Sequence, residues 1–175
     1  MTQAEPGRPE GECYGFQLLT PDHLPLIRRW LVEPHVSAWW TDPEEQYDLI
    51  SGDLQDTRVE QWLLVLDGRP IGYAQVWKPE DWPGNPFSDQ PAGTCGIDPF
   101  IGEPDHVGQG HGSSFLRLLA DRLLQAGAPR VMIDPDPDNH RAVRAYARAD
   151  FRSIELRHTE DGPALLMTRD TSDPR

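Results

Sequence analysis

Val107-Gly108-Gln109-Gly110-His111-Gly112-Ser113-Ser114 runs directly into Phe115-Leu116-Arg117-Leu118-Leu119. Three glycines alternate with other residues, and an apolar pattern of helical period then begins. Phe115, Leu118, Leu119, Leu123 and Ala126 fall on one stripe, so a helix is predicted to start inside the glycine run. A helix N-terminus presents unpaired backbone N–H groups and the positive end of a dipole, and glycine lets a ligand come close to the backbone. Such a place suits a pyrophosphate. It can equally be a tight connection and nothing more. Two nucleotide-binding patterns are excluded. A Walker loop ends in Gly-Lys-Ser/Thr, whereas Ser113 follows Gly112 here. A Rossmann fingerprint opens the first strand–helix unit and is followed by an acid on the next strand. This run lies past the middle of the chain, behind a four-strand-like region.

Outward from the run, strand and helix patterns alternate through the chain. Upstream, Met1 to Glu12 reads as a flexible arm rich in Pro, Gly and Glu. Tyr14 to Leu19 reads as a strand. Thr20-Pro21 caps a helix that buries Leu24, Ile27 and Leu31 and ends at Pro34. A short segment with Val36, Trp39 and Trp40 follows, then a helix from about Pro43 to Ser51 with Tyr47 and Ile50 inward. Gln61 to Leu66 and Ile71 to Trp77 are strands joined by Asp67-Gly68, a strong hairpin signal. Lys78 to Gly93, rich in Pro, Trp and Asp, is long for a connection, and such loops usually cover a site. Thr94 to Ile101 is the strand that leads into the glycine run. Downstream, Gly127 closes the helix. Val131 to Asp134 is a strand, Asp138 to Ala149 a helix and Phe151 to His158 a strand. Asp161-Gly162 turns into a last strand, Pro163 to Thr168. The reading is one α/β domain over 13–170 with a tail at 171–175, without repeats.

The 175 residues suffice for one domain with a real core. Sixteen basic against 29 acidic residues give a net charge of −13. Such a surface repels nucleic acid and anionic lipid and attracts cations, although many of the carboxylates serve solubility alone. Cys13 and Cys95 have no metal-like spacing and form no disulfide framework. The six histidines share no ligand spacing, so no metal is expected. No apolar run approaches membrane-spanning length and the first residues are polar, so a soluble, cytoplasmic protein is expected, with neither nucleic acid nor membrane as partner.

The element order and several local segments together resemble the Gcn5-related N-acetyltransferases, and more narrowly the aminoglycoside 6′-N-acetyltransferases. The segments are Pro34-His35-Val36 with Trp39-Trp40, Ile71-Gly72-Tyr73-Ala74-Gln75, Gly96-Ile97-Asp98 and the glycine run. Asp134-Pro135-x-Pro137-x-Asn139, the helix from Ala142 to Phe151 and Asp161-Gly162-Pro163-Ala164 complete them. The resemblance implies the GNAT fold, a mixed central sheet that splays at the acetyl-CoA site and is flanked by helices. It also implies acetyl-CoA as co-substrate and transfer of its acetyl group to the 6′-amine of an aminoglycoside or a similar cationic aminosugar.

Carried residue by residue, the resemblance assigns the cofactor pyrophosphate to backbone amides of Val107, Gly108, Gln109, Gly110 and Gly112, with the Ser113 hydroxyl nearby. Val107 stands where the superfamily commonly has Arg or Gln, so that side-chain contribution is absent. The strand from Gly96 to Ile101 would splay from the strand at Val131 and pair its free edge near Phe100 and Ile101 with the pantetheine arm. Asn139 matches a position that contacts the same arm. Asp98 matches the proposed base, and Tyr146 the tyrosine that protonates the departing thiolate. Asp134 and Asp161 align with substrate-binding carboxylates. Asp81 and Trp82 match the acid and tryptophan of the long loop, and Trp40 and Tyr47 the aromatic wall. For each, an ordinary structural role competes: Tyr146 or Trp40 as core, Asp98 as a satisfied carboxylate, Asp81 as a solvated turn residue. Asp150-Phe151 replaces the usual Gly-Phe, which puts the end of that helix under strain.

Two other functions stay open at this stage. One is acetylation of a polyamine, a siderophore lysine or another small amine. The other is a CoA-binding sensor without catalysis, which would need neither Asp98 nor Tyr146. Monomer and homodimer are both compatible with the sequence.

Overall fold

Asp67 and Gly68 adopt φ of 49° and 79°, the left-handed pair that a two-residue hairpin requires. They turn β2 (Glu60–Leu66) into β3 (Arg69–Trp77). In the computed structural model, which describes residues 13–171, this hairpin lies within one seven-stranded sheet. The arm at 1–12 and residues 172–175 of the expected tail lie outside the described residues. The other strands are β1 (Tyr14–Leu18), β4 (Cys95–Ile101), β5 (Arg130–Ile133), β6 (Arg152–Thr159) and β7 (Gly162–Asp170). Their order is β1-β2-β3-β4-β5-β7-β6, antiparallel except for the parallel β4–β5 pair. The expected mixed sheet is therefore present.

Alternation along β2 and β3 supplies both faces of the sheet with core. Leu64 and Ala74 join the cluster under α4 (His111–Gln125), which buries Phe115, Leu116, Leu119 and Ala120. Leu63 and Tyr73 point the other way, onto Ile27, Trp30 and Leu31 of α1 (Leu24–Leu31) and Ile50 of α3 (Pro43–Gly52). Fully burying a side chain of this size contributes about 1.5–3 kcal/mol relative to leaving it exposed.

Three local departures from the sequence reading have plain causes. Pro21–His23 forms a 3₁₀ turn, so α1 begins at Leu24. Pro34 ends α1 as expected but also opens a four-residue helix, α2 (Pro34–Ser37), because proline suits the first helical position. The last helix, α5 (His140–Arg148), starts two residues later than predicted: Asn139 is its cap, the side-chain oxygen accepting from Ala142 N–H at 3.1 Å. Asp150 takes φ 69°, the left-handed conformation in which aspartate is less comfortable than glycine.

One feature of the sheet positions the site. β4 and β5 pair only at Cys95–Val131 and Gly96–Met132, and beyond that they diverge. Gly102 N–H donates to the Ile71 carbonyl at 2.8 Å, which extends the β3–β4 register. By antiparallel alternation, Asp98 and Phe100 then direct their backbone groups to β3. The Pro99 carbonyl and the Ile101 N–H face the opened gap. The free edge thus belongs to Pro99 and Ile101, while Phe100 contributes by packing between Trp30, Trp40 and Tyr73. The Ile101 carbonyl lies 2.9 Å from His35 Nε2, which ties α2 to the mouth of the gap.

Candidate functional site

The glycine run folds as its pattern predicts. Gly108 and Gly110 take φ of 79° and 93°, and a Cβ added to either would meet no atom within 4 Å. The glycines therefore provide the left-handed turns and leave open space above the start of α4. His111, the first residue of α4, is buried, with Nδ1 3.1 Å from the Tyr14 hydroxyl. This contact fastens the helix start to β1. Ser113 Oγ and His106 Nδ1 are buried without a hydrogen-bond partner among the described residues. Orphaned polar atoms beside a helix N-terminus, next to an opened strand edge, fit the phosphates and amide arm of a CoA thioester.

Asp98 sits midway along β4. Its Oδ2 accepts from Gln75 Nε2 and from Trp77 Nε1, both at 2.8 Å. Gln75 and Trp77 are on β3, and Gln75 is the register partner of Asp98. Burial raises the Asp98 carboxyl above its ordinary range, against the pull of these two donors. Asp134, just past the end of β5, is pushed up to about 8 by burial and by the charges of Asp98 and Asp161. Two carboxyls in one poorly solvated place cannot both ionise cheaply. Tyr146 of α5 reaches the same place: burial first, then Asp98 and Asp134, raise its hydroxyl and keep it protonated.

Gly96 makes the indole contact possible. A Cβ there would lie 2.6 Å from Trp77 Cε2, so only glycine lets Trp77 lie across β4 with its N–H on Asp98. Gly96→Ala is expected to displace the ring and destabilise the protein by about 1–3 kcal/mol. Urea unfolding measures this, and unchanged stability with an unchanged near-UV spectrum would refute it.

Asp98 forms one wall of a small open cleft of about 160 Å³, lined also by Asp53, Val59, Gln75, Trp77, Trp82 and Asn85. Burial and the charge of Asp56 lift the Asp53 carboxyl, with Arg58 opposing. The loop over 78–94 forms the roof. Phe87 is buried against Met132, Ala164 and Leu166. Arg157 of β6 grips Asp89 with two 2.8 Å bonds and the Pro86 carbonyl with a third. Arg58, paired with Asp56, lies 4.0 Å from the centre of the Trp82 ring. These contacts hold the roof in place.

The expected site residues therefore divide by place. Asp98, Asp134 and Tyr146 come together, with exposed Asp161 at the rim, and Trp82 is in the roof with half-buried Asp81 beside it. Trp40 packs against Tyr73 and Phe100, and Tyr47 lies under the Arg28 guanidinium at 4.0 Å; both are half-buried on the cluster that backs the cleft. The side-chain oxygen of Asn139 is occupied in capping α5. Sequence reading missed Asp53, Val59, Trp77 and Asn85 and quoted Gln75 without a role. The available signal was the odd-numbered series Tyr73, Gln75, Trp77 on one strand.

Comparison with known proteins agrees with this geometry. The family model for the acetyltransferase (GNAT) domain matches residues 20–158. An aminoglycoside N(6′)-acetyltransferase type 1 of Klebsiella pneumoniae is 30% identical over 174 residues, 88% of this chain and 81% of that protein. An N-hydroxyputrescine acetyltransferase of Acinetobacter baumannii is 24% identical over 137 residues, 77% of this chain and 65% of that protein. The crystal structure of the aminoglycoside acetyltransferase AAC(6′)-Ib with coenzyme A and kanamycin is similar at a TM-score of 0.82. It is 28% identical and covers 90% of this chain and 95% of its own. On its opened β4 edge, its glycine run and these matches, the chain belongs to the GNAT acetyltransferases.

Proposed function

We propose that the chain acetylates the 6′-amine of an aminoglycoside or a similar cationic aminosugar. One observation carries this reading: the opened β4 edge borders a cleft that sets two carboxyls, Asp53 and Asp98, beside two indoles, Trp77 and Trp82, with Val59 and the amides of Gln75 and Asn85 completing the lining. Ammonium groups pair with Asp98, Asp134 and Asp161, and sugar rings lie flat on Trp77 and Trp82. Acetyl-CoA supplies an acyl group already activated as a thioester, held by the amides of 107–112 with Ser113 and by the edge groups of Pro99 and Ile101.

An ammonium has no lone pair, so a proton must leave before the nitrogen can attack. Asp98 takes it, directly or through one water. A free aspartate, with a pKa of about 3.9, is a weak base, and burial of Asp98 makes it a stronger one. Tyr146 keeps its proton through neutral pH and gives it to the departing sulfur. Tyr146→Phe is expected to lower kcat about 100-fold with the acceptor KM unchanged. The loss should shrink with acyl donors whose thiols are more acidic; an equal loss with all donors would remove the acid role.

Similarity to the N-hydroxyputrescine acetyltransferase supports a second reading, a linear polyamine as acceptor. Thiol release from acetyl-CoA over a panel separates the two. Turnover should require a 6′-amino group on the aminoglycoside, and turnover confined to polyamines would overturn the substrate while keeping the mechanism.

A further inference from the structure

Behind Asp98 runs a chain of polar side chains, buried at Gln61 and Tyr73, that meets the cleft only at Gln75. Gln61, on β2, donates through Nε2 to the Ile50 carbonyl at 3.1 Å, in the last turn of α3, where carbonyls lack helical partners. That bond turns the Gln61 side-chain oxygen toward Tyr73. The Tyr73 hydroxyl lies 2.9 Å from Gln61 Oε1 and 3.0 Å from Gln75 Oε1, and its one proton is offered to both. Gln75 then presents its NH₂ to Asp98 Oδ2. Tyr73 is 0% exposed and Gln61 5%, so no water competes for these groups and each orientation depends on the next.

We infer that Tyr73 and Gln61 are positioning residues for the proposed base: they fix the Gln75 amide with its NH₂ toward Asp98, which bonds Oδ2 and leaves Oδ1 for the acceptor. The inference rests on the reading of Asp98 as base. Its logic is the two-sidedness of an amide. Turned over, Gln75 would set its carbonyl oxygen against Asp98 Oδ2, an arrangement that repels a carboxylate and suits only the protonated acid. The Tyr73 proton, directed at Gln75 Oε1, opposes that turn. The chain therefore favours ionised Asp98 against the burial that works the other way. The other titratable groups facing Asp98 are Asp134 from the end of β5 and Tyr146 from α5, with Asp161 acting on Asp134 from the β6–β7 turn. Tyr73 itself is held as the phenol by burial and by the charges of Asp98 and Asp53. Trp77 donates to Asp98 from the same strand but, having only a donor, cannot be turned over.

The test is the pH profile of kcat/KM on the intact chain with acetyl-CoA and kanamycin, for the wild type, Tyr73→Phe, Gln75→Met and Asp98→Asn. Tyr73→Phe keeps the buried ring and removes only the hydroxyl. It is expected to lower kcat/KM about tenfold at pH 7 and to move the acid limb up by about one pH unit. The rate should approach that of the wild type on the alkaline side, with KM for acetyl-CoA within about twofold. A merely structural role would lower the rate by one factor at every pH, and that result, or an unmoved limb, overturns the inference. Should Tyr73→Phe fail to fold, Gln75→Met carries the same expectation, and an unmoved limb there overturns it equally. Asp98→Asn separates the two failures. If Asp98→Asn turns over like the wild type, the base reading falls and the inference with it. If Asp98→Asn is silent and the Tyr73→Phe limb stays in place, the inference falls alone.

Discussion

Asp98→Asn is expected to lower turnover by about 10²–10⁴-fold while acetyl-CoA binding stays within about twofold. The substitution conserves volume. An asparagine oxygen can still accept from Gln75 Nε2 and Trp77 Nε1 at the positions now 2.8 Å from Oδ2, so the β3–β4 packing survives. What is lost is an atom able to take a proton from the acceptor ammonium. Thiol-release kinetics beside calorimetric titration of acetyl-CoA distinguish the outcomes. Joint loss of turnover and cofactor binding would mean a structural role for Asp98, and loss of neither would remove it from the mechanism.

Asp134→Asn should make the protein more stable and less able to hold its acceptor. The folded-state carboxyl is raised from 3.8 to about 8. Between those values the native state keeps a proton that the unfolded chain releases, so stability falls as pH rises through that window. A neutral isostere removes the dependence. The variant should gain about 1 kcal/mol near pH 8, or about 2–4 °C in Tm, and its Tm should vary less between pH 5 and 8 than that of the wild type. Loss of a carboxyl that an arriving ammonium would ionise should raise the acceptor KM about 10–100-fold. A Tm profile parallel to that of the wild type would show that Asp134 is not held protonated by its surroundings. Together these results would describe a carboxyl kept at a cost in stability for the sake of binding.

Much of the fold was legible because its signals are local. Asp67-Gly68, the glycine run, Pro34 and Gly127 each act within a few residues, and each appears where the sequence placed it, whereas the α4 stripe is turned to bury Leu116 and Ala120 in place of Leu118 and Ala126. The left-handed Asp150 was legible for the same reason, as a missing glycine. The proposed acceptor cleft was legible only in part. Asp98 and Asp134 were found through resemblance, but Asp53, Trp77 and Asn85 meet Asp98 through strand register and loop course, which no short window contains. Gln75 pairs with Asp98 across 23 residues. Phe100 and Ile101 show the limit most plainly: one residue decides which backbone groups face the gap, and only the Gly102–Ile71 bond fixes that parity.

Pro99 has a consequence for how the protein survives in company. The splay that makes room beside β4 also leaves strand backbone without a neighbouring strand, and unpaired edges invite other chains to add on and aggregate. Proline at the centre of that edge offers a carbonyl and no N–H, so no ladder can run its length. A ligand needing only one or two bonds can still use the edge, whereas an intruding strand cannot. The gap is thereby selective before any substrate arrives, open to a slender arm and closed to another polypeptide.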